Sequence, residues 1–102
     1  MEWKIIKSPS PGTIDILMRR KGSPASHDMS DFDAVGLVQG RLIDMVVAAD
    51  IAEKAAGVFV EDIRGSCPQN LVMIAIFGDT AAVEAAISDI CRVFQEHRQV
   101  TL

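Results

Sequence analysis

The sequence of 102 residues has no tyrosine and a single tryptophan, and aromatic residues make up only 5% of it. Its core must therefore be built mainly from Ala, Val, Ile, Leu and Met. Cysteine is nearly as scarce, with two in the whole chain, too few for a disulfide framework. Positive charge is also short: 10 Lys and Arg stand against 14 Asp and Glu, a net charge of −4. That balance gives no support to nucleic-acid binding, which needs a basic face, and no nucleic-acid partner is expected. No apolar run approaches the roughly 18 residues of a membrane-spanning helix, so no membrane partner is expected either. The opening MEWKIIKSPSPG lacks the apolar centre of a secretory signal, which makes the expected location cytoplasmic. In that reducing setting the two thiols are free or metal-binding rather than paired.

What is present is a globular composition, 49% hydrophobic and 24% charged, long enough for one domain spanning residues 1–102. SPSPG at Ser8–Gly12 separates Trp3–Ile6 from Thr13–Arg19, whose alternation predicts a strand, so residues 1–22 are expected to contribute strands. Gly22–Asp33 is polar and turn-rich. Ala34–Gly40 (AVGLVQG) predicts a buried strand. Arg41–Ala56 carries Leu42, Met45, Val46, Ala49, Ala52 and Ala56 at helical spacing, with Gly57 as its stop. Val58–Ile63 predicts a second strand of this core and Leu71–Gly78 (LVMIAIFG) a third, covered on both sides. Asp79 or Thr80 then caps a helix with Val83, Ile87, Ile90 and Phe94 inward.

Residues 34–97 thus read as strand, helix, strand, tight loop, strand, helix. This is a split βαβ, ferredoxin-like arrangement of the α+β class: an antiparallel sheet with helices on one face. Ala48, Ala49, Ala52, Ala55, Ala56 and Ala81, Ala82, Ala85, Ala86 make both helices thin. Small residues let backbones approach closely, within the chain or between copies, and so small a domain gains stability by oligomerising.

AVGLVQGRLIDMVVAADIAEKAAGV, followed by LVMIAIFGDTAAVEAAI, resembles the bacterial microcompartment shell domain. The family's pattern is an A-x-G-x-[VI] strand, a helix with A-A-D-x-x-x-K-A-A, and a strand ending in G-D before x-A-A-V-x-A-A. These fall at Ala34–Val38, Ala48–Ala56 and Gly78–Ala86, in order. In the usual family order a strand after the second helix closes the sheet, whereas here Gly12–Gly22 is expected to supply it from the front. That is similar to the circularly permuted subgroup typified by propanediol- and ethanolamine-utilisation compartments. The Arg64–Asn70 loop, RGSCPQN, looks most like that of permuted shell proteins from glycyl-radical enzyme compartments. The N-terminal segment departs from the subgroup in being shorter and broken by prolines, which makes relatives with a six-stranded plug over the pore a poor guide.

The resemblance implies a non-enzymatic structural protein: a cyclic homohexamer that tiles with other shell proteins into the wall of a cytoplasmic compartment. Six copies of Gly65, Ser66, Cys67, Pro68 and Gln69 would line its central pore. A lone Cys67 in a turn is ordinarily a free thiol. Repeated around an axis, it becomes a set of thiolate ligands suited to an iron–sulfur cluster, of the 4Fe–4S type and shared between subunits, serving electron transfer or cluster or metabolite passage. Six ligands cannot serve one cubane equally, so such a cluster breaks the sixfold symmetry. Lys54 matches the family's hexamer-edge lysine, and Arg20, with Arg19 as the alternative, corresponds to a basic residue near that edge.

Other residues have plainer readings. Cys91 is a small core residue, and Met18, Met29, Met45 and Met73 fill core or turns. His27, Asp28, Asp31 and Asp33 belong to a solvated turn rather than a metal site. Glu61 and Asp62 end a strand near the pore rim, with no nucleophile beside them. Two competing functions remain in view. One is a small cytosolic regulatory module binding an effector at a dimer interface. The other is a thiol redox enzyme using Cys67, which lacks a resolving cysteine within reach.

Overall fold

The computed structural model describes residues 1–22, 32–55, 57–65 and 71–96. The elements run β1 (Glu2–Lys7), α1 (Pro11–Arg20), β2 (Ala34–Arg41), α2 (Leu42–Lys54), β3 (Val58–Ile63), β4 (Leu71–Gly78) and α3 (Thr80–Glu96). The strands form one antiparallel sheet in the order β1-β2-β4-β3. The α+β fold and every element expected between Ala34 and Glu96 are there. In the 71–78 run, alternate residues face opposite sides and both sides are covered, which explains why it lacks a polar face.

On one face Ala34, Val38, Ile74 and Ile76 meet Met45, Ala48 and Ala52 of α2 and Val83, Ala86, Ile87 and Ile90 of α3. The alanines let both helices lie close to the sheet and to each other. Cys91 packs at the margin of this core, as expected. On the other face Val35, Ile63, Ala75 and Phe77 meet Leu17 of α1, with Phe32 and Phe59 beside them.

The family pattern has local physical reasons. A Cβ on Gly36 would stand 3.1 Å from both Ile87 and Val83, so the glycine lets α3 settle onto β2. A Cβ on Gly78 would stand 2.7 Å from the carbonyl oxygen of Gly57, an approach that only glycine permits. Gly57 itself has φ +84°, the left-handed region that favours glycine. Asp79 then caps α3, its Oδ1 accepting from the Ala82 N–H at 2.8 Å.

Two expectations are corrected. Thr13–Arg19 is not a strand but the body of α1, so residues 1–22 hold one strand and one helix. Ser10 is the N-cap and accepts from the Thr13 N–H at 3.2 Å, Pro11 opens the helix, and Arg19 and Arg20 occupy its last turn. The fourth strand comes instead from β1, paired with β2 from Glu2↔Gln39 to Lys7↔Ala34. Consequently the helices do not all share one face: α2 and α3 lie on one side and α1 on the other. A smaller difference is that α2 ends at Lys54, with Ala55 as its C-cap, two residues before the expected stop.

Candidate functional site

The β3–β4 hairpin is registered from Val58↔Gly78 to Ile63↔Met73, so the 64–70 loop leaves and re-enters at one end of the sheet. Ser66, Cys67, Pro68 and Gln69 lie outside the described residues. Gly65 is described and exposed, and no described residue stands within 4 Å of where its Cβ would be.

The start of the loop is held by the exit of α1. The Arg64 N–H donates to the Arg20 carbonyl at 2.6 Å, and the Gly22 N–H donates to the Asp62 carbonyl at 2.7 Å. Lys21 and Ile63 form an antiparallel bridge between them. The Arg64 guanidinium adds a bond from Nη2 to the Gly22 carbonyl at 3.3 Å. This stitch brings Arg19, Arg20 and Arg64 around an open depression of about 730 Å³, with Ile16 and Gly65 as its other described lining residues.

Glu61 and Asp62 point to opposite faces. Glu61 pairs with Ala75 on the α1 side and is only 4% exposed. Asp62 is exposed and borders a groove of about 330 Å³ between α2 and the sheet. The walls of that groove include Leu42, Val46, Val72 and Ile74. Of the apolar series read in α2, Met45 and Ala52 are buried, whereas Leu42 and Val46 are 61% and 62% exposed, next to Ile43 at 73%. An amphipathic pattern shows that a residue is destined for burial but not against which surface.

Lys54 lies toward the opposite end of β3 from the loop, in the last turn of α2. Its Nζ is 2.7 Å from Asp50 Oδ2, an exposed i,i+4 ion pair that joins two residues of the family pattern. Arg20 therefore stands with the loop and apart from Lys54. His27, Asp28, Asp31 and Met29 lie outside the described residues, and the Asp33 carbonyl accepts from the Ser8 N–H at 2.7 Å. Among the described residues no group of three or more His, Cys, Asp or Glu is placed to hold a metal ion. No helix among them is long and apolar enough to cross a membrane.

The arginine depression escaped the sequence reading because Arg64 and the α1 arginines meet only through the fold. The available signal was Ser10-Pro11, an N-cap followed by proline at the first helical position, which marks α1 and hence where its last turn falls.

A family model described as the BMC domain matches residues 34–101. The ligand-free structure of the GrpU microcompartment shell protein from Clostridiales bacterium 1_7_47FAA is 54% identical over 94% of each chain, with a TM-score of 0.73. The GrpU shell protein from Pectobacterium wasabiae, also ligand-free, is 35% identical over 87% of this chain and 98% of its own, with a TM-score of 0.69. The fused permuted hexameric shell protein MSM0275 from the RMM microcompartment shares the fold, with a TM-score of 0.66 at 19% identity over 94% of this chain and 46% of its own. A comparison with curated proteins found no match.

Proposed function

Because the chain belongs to the BMC-domain family and is a structural, non-enzymatic shell protein of a bacterial microcompartment, we propose that six copies close into a ring whose 64–70 loops line a central pore. In this reading Cys67, supplied by several copies, holds an iron–sulfur cluster there. The observation that carries the ring is the exposed apolar set Leu42, Ile43 and Val46 on α2, which a lone chain leaves in water. The shape agrees with a tile, at 38 × 33 × 21 Å. The permuted order is supported by β1, which precedes the BMC match and joins the sheet beside β2.

The donor set suits a cluster only if the cluster is shared between copies. One chain offers one loop thiol, while a cubane takes about four thiolates, so neighbouring copies must contribute. Ile63 and Leu71 fix the two ends of the loop on paired strands, which limits how far each Cys67 can stray from its place in the ring. Bound there, the cluster would supply one-electron redox chemistry across the wall; without it the pore serves metabolite passage. Lys54 is the hexamer-edge residue of this proposal. Arg20 is better assigned to the pore-loop end, where its carbonyl binds the Arg64 N–H.

Both GrpU relatives are shell proteins, which leaves the regulatory-module and thiol-enzyme readings without support. The test is purification without oxygen of the parent and Cys67→Ser. The expected parent is a brown hexamer with about four irons and matching sulfide per six chains, and the variant is colourless at the same mass. A colourless parent hexamer rejects the cluster alone; a dimer rejects the ring.

A further inference from the structure

We propose that the depression formed by Arg19, Arg20 and Arg64 is a binding site for a small phosphorylated molecule. The proposal goes beyond the shell reading and requires neither the ring nor the cluster, because one chain supplies all three arginines.

The chain carries more acidic than basic residues, so an arginine has many carboxylates to choose from. Yet the ion pairs among the described residues are Lys7–Glu84, Lys54–Asp50 and Arg92–Asp89, and none involves these three arginines. Basic residues in the last turn of a helix complement its dipole, which accounts for Arg19 and Arg20 taken alone. It does not account for Arg64, which follows β3 and belongs to no helix. The stitch between Gly22, Asp62, Arg20 and Arg64 fixes the two backbones against each other, and the bond to the Gly22 carbonyl occupies only one of the five guanidinium N–H donors of Arg64.

The Asp62 carboxylate is a neighbour of Arg64, since a Cβ on Gly22 would meet Asp62 Oδ2 at 2.9 Å and Arg64 Nε at 3.5 Å. Three cations against one carboxylate still leave an excess of positive charge that a bound anion relieves. Planar guanidinium forks match phosphate oxygens, and the charge on a phosphate group answers several of them at once. About 730 Å³ of space, with Ile16 as an apolar wall, admits a body larger than the phosphate group itself.

The test is equilibrium dialysis of the full chain with radiolabelled pyrophosphate at fixed ionic strength. Saturable binding is expected, weakened about tenfold or more by Arg19→Gln or Arg64→Gln. It should be unchanged in Arg92→Gln, which removes the same charge from α3 on the other face of the sheet. Should Arg64→Gln fail to fold for want of its bond to Gly22, Arg19→Gln carries the test, since no described hydrogen bond or ion pair uses its head group. Absence of saturation in the parent overturns the site. Equal weakening in all three variants overturns it as well, by reducing it to diffuse charge. Displacement by citrate at lower concentrations than unlabelled pyrophosphate overturns the phosphate assignment in favour of a carboxylate.

Discussion

The two faces of the sheet are finished to different degrees. The α2/α3 face is closed over its centre by two long helices and an alanine seam, with Met45, Ile76, Val83 and Ile90 sealed from water, and it opens at its margin in the groove of about 330 Å³ beside Leu42 and Val46. The α1 face carries one ten-residue helix that contributes a single buried residue, Leu17. Three of the four phenylalanines of this aromatic-poor chain reinforce it: Phe32 meets Phe59 edge-on at 4.6 Å, and Phe59 stacks on Phe77 at 5.2 Å. Beyond α1 a groove of about 240 Å³ stays open over Leu37, Gln39 and Met73, and the arginine depression opens at the loop end. The closed centre of the α2/α3 face supplies stability, and the open margins of both faces leave side chains free to meet something else.

The sharpest test of that contrast is the pair Ile76→Ala and Leu17→Ala. Ile76 has no room to collapse between two helices, so its truncation should cost about 4 kcal/mol, read from the denaturant midpoint. Leu17→Ala should cost about 2 kcal/mol and release the α1 amides to hydrogen exchange while α3 stays protected. Equal costs and a single global exchange rate would show that both faces belong to one cooperative unit. Ser10→Ala removes the N-cap of α1 and should cost about 1 kcal/mol, again with faster exchange confined to α1. The smallest effect is expected for Lys54→Ala in the isolated chain. Its ion pair with Asp50 is 63% and 45% exposed and is worth at most about 0.5 kcal/mol. If Lys54 lies at the ring's edge, the same variant should instead lose the packing of rings into sheets, visible by electron microscopy, while the hexamer survives.

The closed face was also the legible one. Val83, Ile87, Ile90 and Phe94 repeat at helical spacing because they meet one face of the sheet, and Ala34–Val38 is apolar throughout because both its sides are covered. The α1 segment was not legible as a helix because Ile14, Ile16 and Met18 alternate like a strand. Yet Ile16 and Met18 are exposed, and the contact that decides the outcome is made by Leu17 with residues far along the chain. Leu42 and Val46 show the other limit, since periodicity marks an apolar stripe without saying whether its cover comes from the same molecule. The arginine depression could not be read from spacing at all: its key bond, from Arg64 to Gly22, spans 42 positions.

The stitch between α1 and β3 bears on how this protein can change. It pins the chain at Arg64, and β4 takes hold again at Leu71, so the connection between these two posts is anchored at both ends. For loops in general, doubling the length adds only about 0.6 kcal/mol of closure entropy. Residues can thus be inserted, removed or exchanged between the posts while the layers behind them keep their packing. The chemistry carried between the posts and the stability of the layers behind them are therefore separate variables.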